Sequence, residues 1–244
     1  MEILKKFKLR AQNNAGEGTV TIAFLGDSVT QGCFECHKKG DEIRVVFDKE
    51  SAYHRYLDQM FSVIYPTVPV NIINAGVSGG GAPHGLERLE RDVLRFRPDL
   101  TVVCFGLNDC GGEEAGLQKY LNALRSIFEQ LKANGSEIIF MTPNMMNTYV
   151  SDDLDCQVLV NIAERVMERQ NRGILDLYVD SAKALCEEMD VRVCDCYTKW
   201  KKLAQNGVDT TLLLSNRINH PTREMNWMFA YSLMETIFED FLAK

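Results

Sequence analysis

The sequence predicts one α/β domain, built as a three-layer α/β/α sandwich around a five-stranded parallel sheet. Five short apolar segments alternate along the chain with longer amphipathic segments. The connections between the apolar segments are long enough to cross over a sheet, which favours parallel strands with helices on both faces. Hydrophobic residues make up 45% of the 244-residue chain, and no Pro-, Gly- or Ser-rich linker divides it. We therefore expect a single domain over residues 1–244, with residues 1–17 as an N-terminal extension.

The five predicted strands are short, apolar and rich in β-branched residues, which is typical of strands buried in a parallel sheet. They span residues 19–25, 68–73, 100–105, 137–141 and 191–194. Residues 33–50 have mixed charge and no clear period, and we expect a loop there that leads into a helix.

Apolar residues recur at helical spacing in the segments between these strands. Helices are predicted over residues 51–64, 86–96, 117–134 and 200–204, and from Pro221 onward. The segment 154–189 predicts one or two helices with an interruption near residues 171–173. Proline is favoured in the first turn of a helix, which supports the start at Pro221.

Charge and hydropathy argue against two classes of partner, nucleic acids and membranes. The formal net charge is −7 and the basic residues are scattered, so we expect no nucleic-acid partner. No segment offers about 18 uncharged apolar residues, so we expect no membrane partner. Residues 1–10 lack an apolar core of signal-peptide length, and several cysteines lie inside apolar runs as small hydrophobes. We therefore expect a cytoplasmic protein.

Four short motifs carry residues suited to acyl-transfer chemistry, and each lies after a predicted strand or just before a helix. They are Gly26-Asp27-Ser28, the segment 74–79, the segment 106–109 and Asn219-His220-Pro221. Acyl transfer needs a nucleophile, a base and donors that stabilise an oxyanion. Ser28 follows the first strand, at the sheet edge where open α/β folds bind ligands. Ser28 is therefore the candidate nucleophile.

Taken in order, these motifs resemble the four sequence blocks of the SGNH hydrolases, also called GDSL esterases, over residues 19 to about 230. The resemblance implies a flavodoxin-like fold and no metal or cofactor. It also implies Ser28 as nucleophile and His220 as base. The oxyanion donors would be the backbone N–H groups of Ser28 and Gly79 and the side-chain amide of Asn108.

Two aspartates next to these residues have a predicted supporting role. Asp27 precedes the nucleophile and Asp109 follows Asn108. We expect both to accept backbone hydrogen bonds and shape their loops. A general acid for Asp27 and a substrate contact for Asp109 are the alternatives.

The sequence departs from the family pattern at the residue that orients the histidine. The family usually has an aspartate three residues before the histidine, whereas this chain has Arg217. A guanidinium cannot accept a hydrogen bond from the imidazole. The candidates for the third member are therefore the backbone carbonyl of Arg217, the side chain of Asp209, and the amide oxygens of Asn216 and Asn219.

Two further motifs suggest other chemistry and are set aside. Residues 76–80 fit the G-x-S-x-G nucleophile elbow around Ser78, but the elbow needs a helix directly afterwards and residues 80–85 make a poor helix start. Residues 33–37 match the C-x-x-C-H haem-attachment motif, yet such attachment belongs to exported proteins. We expect neither haem nor zinc, and interpret residues 33–37 as part of a loop near the active site.

The prediction for function is a serine esterase that acts on small soluble carboxylic esters through a Ser-His acyl-enzyme. The resemblance makes O-acetyl groups on carbohydrates the favoured substrate. Two alternatives stay open: a catalytically silent carbohydrate-binding protein of the same fold, suggested by Arg217 at the acid position, and an acyltransferase.

Overall fold

The chain is described by a computed structural model over residues 1–16, 18–40 and 42–238. The predicted limits of the extension and of the domain, at residues 17 and 244, lie outside these ranges. Within the described residues, no helix is long and apolar enough to cross a membrane.

Among the residues that the structure describes, seven strands form a central sheet and a separate hairpin. The strands are β1 (Val20–Gly26), β2 (Cys33–Lys39), β3 (Glu42–Phe47), β4 (Val70–Gly76), β5 (Leu100–Cys104), β6 (Glu137–Met141) and β7 (Arg192–Cys194). The central sheet is parallel throughout, with the order β4-β1-β5-β6-β7, which confirms the predicted fold class. Gly26 at the end of β1 pairs with Gly76 of β4 and Cys104 of β5. The carboxyl ends of these three strands are therefore level, and the loops that follow them meet.

Helices cover the sheet on both sides. They are α1 (Glu2–Gln12), α2 (Ser28–Gln31), α3 (Tyr53–Ile64), α4 (Ala82–Glu87), α5 (Leu89–Asp92), α6 (Glu113–Asn134), α7 (Gln157–Asn171), α8 (Ile174–Glu188), α9 (Cys196–Gln205) and α10 (Arg223–Ile237). Helix α3 packs against α10, and α6 packs against α4 and α8. The predicted interruption near residues 171–173 is confirmed, because α7 and α8 are separate helices.

The structure corrects three predicted elements. Residues 33–50 contain the antiparallel hairpin β2–β3 rather than a loop, and a register shift in β2 explains why no regular alternation is visible in the sequence. The segment predicted as one helix over 86–96 is divided into α4, α5 and a 3₁₀ turn, and α4 begins at Ala82. Pro83 is tolerated there because a first-turn residue needs no N–H. Helix α10 begins at Arg223 rather than Pro221, because the side chain of Thr222 caps it.

The N-terminal extension contributes a helix that the sequence analysis did not predict. Phe7 of α1 is fully buried and stacks on Phe61 and Tyr65, with ring centroids 4.7 and 4.6 Å apart. Lys6 forms an ion pair with Asp99, which precedes β5. Helix α1 is therefore part of the core.

Candidate active site

The turn after β1 presents Ser28 at the carboxyl edge of the sheet. Asp27 caps α2, because its Oδ1 accepts a hydrogen bond from the Val29 N–H at 2.9 Å. A side chain at Gly26 would place its Cβ 2.1 Å from Thr30 Oγ1, so the turn requires glycine there. Ser28, the first residue of α2, lies where the sequence predicts the nucleophile.

His220 reaches Ser28 from the loop that precedes α10. Its Nε2 lies 3.0 Å from Ser28 Oγ, and the two residues are only 6% and 4% exposed. Asn216 holds the loop, because its Oδ1 accepts hydrogen bonds from the backbone N–H groups of Ile218, Asn219 and His220. The structure thus brings together the predicted nucleophile and base, which are far apart in the sequence.

The second ring nitrogen of His220 faces the backbone of the hairpin. Nδ1 lies 2.8 Å from the carbonyl oxygen of Phe34 in β2. A carbonyl oxygen only accepts hydrogen bonds, so Nδ1 carries the proton and donates it. Nε2 is then left with a free lone pair directed at the Ser28 hydroxyl. This is the tautomer that a general base requires.

Neither leading candidate for the third member contacts the ring of His220, because Nδ1 lies 2.8 Å from the carbonyl oxygen of Phe34 rather than from Asp209 or the carbonyl of Arg217. The Arg217 guanidinium forms an ion pair with Asp153 and donates to nearby carbonyl groups. Asp209 accepts a hydrogen bond from the Tyr149 hydroxyl and caps the backbone of the following residues. The Phe34 carbonyl takes the place expected for the Arg217 carbonyl.

The two asparagines suggested as alternatives also have other partners. Asn216 Oδ1 is occupied by the three backbone donors of its own loop. Asn219 Oδ1 accepts from Asn216 Nδ2 at 3.0 Å. Both residues shape the loop that carries His220 rather than contacting its ring.

Burial keeps the His220 imidazole neutral. Removal from water lowers its pKa below the ordinary 6.5, and this outweighs the hydrogen bond to Phe34, which acts in the opposite direction. A base that is neutral near pH 7 can accept the proton of Ser28.

The predicted oxyanion donors Gly79 and Asn108 line one cavity of about 360 Å³, together with polar side chains that include His84 and Lys119. Asn108 Nδ2 donates to the Gly80 carbonyl at 3.0 Å and lies 3.5 Å from Asp27 Oδ2, beside the turn of Ser28. Gly79 has a φ of +75°, which favours glycine.

The two aspartates bind the backbone of the loops around Ser28 and Asn108. Asp109 accepts hydrogen bonds from the N–H groups of Ala82 and Gly106, at 2.8 and 3.0 Å. Burial raises the pKa of Asp27 to about 7 and that of Asp109 to about 6.

The residues of the two alternative motifs lie at the carboxyl end of β4 and on β2. The Ser78 N–H donates to Gln31 Oε1 at 2.7 Å, although a helix does begin a few residues later at Ala82. Cys33 and Cys36 lie on β2. The described part of the chain contains no group of three or more His, Cys, Asp or Glu side chains that could hold a metal ion.

Sequence reasoning missed two residues that support the site. Phe34 acts through its carbonyl oxygen, and no side-chain pattern could have indicated it. Arg88 is buried and donates to the carbonyl oxygens of Ala75 and Gly26, at 2.6 and 2.9 Å, so it ties together the ends of β4 and β1.

Comparison with known proteins identifies relatives among esterases. An acetylxylan esterase of Geobacillus stearothermophilus is 24% identical over 177 residues, which cover 68% of this chain and 78% of the relative. The crystal structure of a catalytic mutant of that organism's acetylxylan esterase matches 93% of this chain and 98% of its own, with a TM-score of 0.67 and 21% identity. The lipase/acylhydrolase from Enterococcus faecalis matches with a TM-score of 0.65 and 18% identity, over 90% of this chain and 95% of that one. At these identities the structural matches establish the fold.

The fold and the family match define a carboxylic ester hydrolase of the SGNH, or GDSL, type. The chain belongs to the GDSL-like lipase/acylhydrolase family, whose model matches residues 24–228. That range contains all four motifs identified in the sequence.

Proposed function

We propose that the chain is a serine esterase that hydrolyses small soluble carboxylic esters through an acyl-enzyme on Ser28. One observation carries the proposal: a continuous hydrogen-bonded path from Ser28 Oγ to His220 Nε2 at 3.0 Å, and from His220 Nδ1 to the Phe34 carbonyl at 2.8 Å. A nucleophile, a base and a group that orients the base are therefore all in contact.

In the proposed reaction, Ser28 Oγ attacks the ester carbonyl carbon while its proton passes to His220 Nε2. The oxyanion accepts hydrogen bonds from the N–H groups of Ser28 and Gly79 and from the Asn108 amide. Collapse of the tetrahedral intermediate expels the alcohol, which takes the proton from His220. Water then attacks the acyl-enzyme with His220 again as base, and Ser28 regains its proton when the acid leaves.

A backbone carbonyl is a sufficient third member for this chemistry. The carboxylate of a serine-hydrolase triad holds the histidine in the correct tautomer and stabilises the imidazolium. The Phe34 carbonyl selects the same tautomer, because it can accept only from Nδ1–H. Its partial negative charge also lies against the ring when the ring becomes charged. The absence of an aspartate at the position of Arg217 is therefore no ground for a silent binding protein.

We propose acetyl groups on carbohydrates as the substrate class. Ser28 is 4% exposed, which favours a small acyl group over a long chain. The neighbouring cavity presents polar side chains suited to hydroxyl-rich alcohols, among them Glu87 and Lys119. The relatives named above as acetylxylan esterases support the same class. The cytoplasmic location and the lack of nucleic-acid or membrane partners stay predictions.

The test compares hydrolysis of p-nitrophenyl acetate, butyrate and octanoate with release of acetate from acetylated xylo-oligosaccharides, using Ser28→Ala as the background. We expect the acetate to be the best of the three synthetic esters, and acetate release from the oligosaccharides to depend on Ser28. No turnover of any ester, together with Ser28 inert to an organophosphonate, would favour the silent binding protein. Transfer of acetyl to an added sugar in preference to water would favour the acyltransferase.

A further inference from the structure

We propose that Arg223 is a positioning residue of the active site: it clamps the hairpin β2–β3 so that the Phe34 carbonyl stays on His220 Nδ1. The inference rests on the proposed function of the Ser28–His220 pair. It assigns to an arginine on α10 the task of holding the carbonyl group that stands where a triad has its aspartate. The clamp is defined here as Arg223 together with Glu35 and Asp48.

A β-bulge makes the Phe34 carbonyl available to the histidine. Two residues of β2, Phe34 and Glu35, lie opposite the single Val46 of β3, because the register shifts between Cys33 and Cys36. A bulge releases backbone groups from the ladder and redirects the strand. The Phe34 carbonyl oxygen is thus available to His220, which lies 186 positions further along the sequence.

Arg223 contacts the bulge in β2 and the residue that follows β3. Its Nη1 and Nη2 donate to the two carboxylate oxygens of Glu35, at 2.6 and 3.3 Å, and its Nε donates to Asp48 at 2.9 Å. Its guanidinium also lies over the Phe34 ring, 4.3 Å from the ring centroid. One side chain thus contacts both residues of the bulge. It also holds Asp48, the residue after β3, at the open end of the hairpin, where the Asp48 N–H donates to the Gly32 carbonyl oxygen at 2.8 Å.

The clamp and the base are part of one short segment. Arg223 is the first residue of α10 and follows His220 by three positions, so the chain that delivers the imidazole also delivers the guanidinium. The segment 220–223 therefore contacts the bulge at two points, through the His220 ring at the Phe34 carbonyl and through the Arg223 guanidinium at Glu35. A planar guanidinium fork suits this task, because its two parallel hydrogen bonds fix an orientation as well as a distance.

The clamp is a positioning device rather than a source of stability. The side chains of Arg223, Glu35 and Asp48 are each about one-third exposed, and exposed ion pairs contribute little to folding. Arg223 does not line the cavity beside Asn108. Its removal should therefore reduce kcat and leave KM almost unchanged.

The test measures kcat and KM for p-nitrophenyl acetate with Arg223→Met, Arg223→Lys and the control Arg125→Met. Arg125 forms a comparable two-bond pair with Glu188 on the surface, away from the site. We expect Arg223→Met to lower kcat about 10- to 100-fold, the loss that a displacement of about 1 Å causes. KM should stay within about twofold, Arg223→Lys should lie between wild type and Arg223→Met, and Arg125→Met should match wild type.

A spectroscopic measurement tests the clamp without relying on turnover. The proton on His220 Nδ1 should give a downfield resonance in the wild-type ¹H spectrum, assigned by its loss in His220→Ala. In Arg223→Met this resonance should move upfield or broaden by exchange with water, while Arg125→Met leaves it in place.

The inference is overturned if Arg223→Met keeps kcat within about twofold of wild type, if Arg125→Met loses as much activity, or if the Nδ1 proton resonance is the same in wild type and Arg223→Met. A wild-type protein that hydrolyses no ester would instead count against the proposed function. The resonance would still decide whether Arg223 holds the carbonyl on the histidine.

Discussion

The buried carboxyl group of Asp27 should make stability fall with rising pH, and Asp27→Asn should remove that fall. Burial raises the Asp27 pKa to about 7, whereas an aspartate in an unfolded chain titrates near about 3.9. Between these values the folded protein keeps a proton that the unfolded chain has lost, so the free energy of unfolding decreases as pH rises from about 4 to about 7.

The magnitude follows from the difference between the two pKa values. One pKa unit corresponds to about 1.36 kcal/mol, so the penalty approaches about 4 kcal/mol once both states are ionised. Between about pH 5 and about pH 8.5 the penalty grows by about 3 kcal/mol. Asp27→Asn retains an oxygen that can accept from the Val29 N–H and thus preserves the cap of α2.

The assay is urea denaturation of wild type and Asp27→Asn at the two pH values. Groups that titrate elsewhere affect both proteins and cancel in the difference. The variant should gain about 3 kcal/mol relative to wild type on going from about pH 5 to about pH 8.5. A difference that is constant with pH would show that Asp27 is ionised at neutral pH and would refute the reasoning.

Three further predictions concern catalysis. The kcat/KM of wild type should rise with pH through an apparent pKa below 6.5, because burial lowers the pKa of His220. It should fall near pH 7 as Asp27 ionises beside Asn108, and Asp27→Asn should abolish this fall. A rise in kcat/KM centred above pH 6.5 would contradict a buried neutral base. Asn108→Ala should lower kcat for p-nitrophenyl acetate, measured in the steady state, by about 10²- to 10³-fold, because one oxyanion donor is lost. A loss of kcat below about threefold would show that Asn108 is not an oxyanion donor. Asp209→Ala and Arg217→Ala should each retain kcat within about twofold, because neither side chain contacts His220; a loss comparable to that of His220→Ala would restore one of them as the third member.

The sheet and the position of the candidate side chains could be predicted because their signals are local. The strands of the central sheet are short and mostly apolar, as in β5, where all five residues are buried. Ser28, Asn108 and His220 belong to short motifs on loops, and the side-chain chemistry of each is visible in a few letters of sequence.

The sequence could suggest that a backbone carbonyl faces His220 Nδ1, but not that Phe34 supplies it. Every residue has a carbonyl group, so Phe34 carries no side-chain signal for the role, and it lies 186 positions from His220. The hairpin that supplies it was also hidden. Its bulge interrupts the alternation of apolar and polar residues by which a strand is recognised.

Helix α1 was missed for a different reason. Its buried residues, Ile3 and Phe7, are spaced by four positions as in an amphipathic helix, but its remaining residues are mostly polar. Two apolar positions are weak evidence for a helix without the core that they pack against. The partner residues Phe61 and Tyr65 lie far along the chain.

The most direct test of the account is the rate of p-nitrophenyl acetate hydrolysis by wild type, Ser28→Ala and His220→Ala, with folding of each protein verified by circular dichroism. Each substitution alone should reduce kcat by about 10⁴-fold or more, and the double variant should be no slower than either single one, because the two side chains act as a unit. Wild-type activity that survives either substitution would contradict a Ser28–His220 esterase.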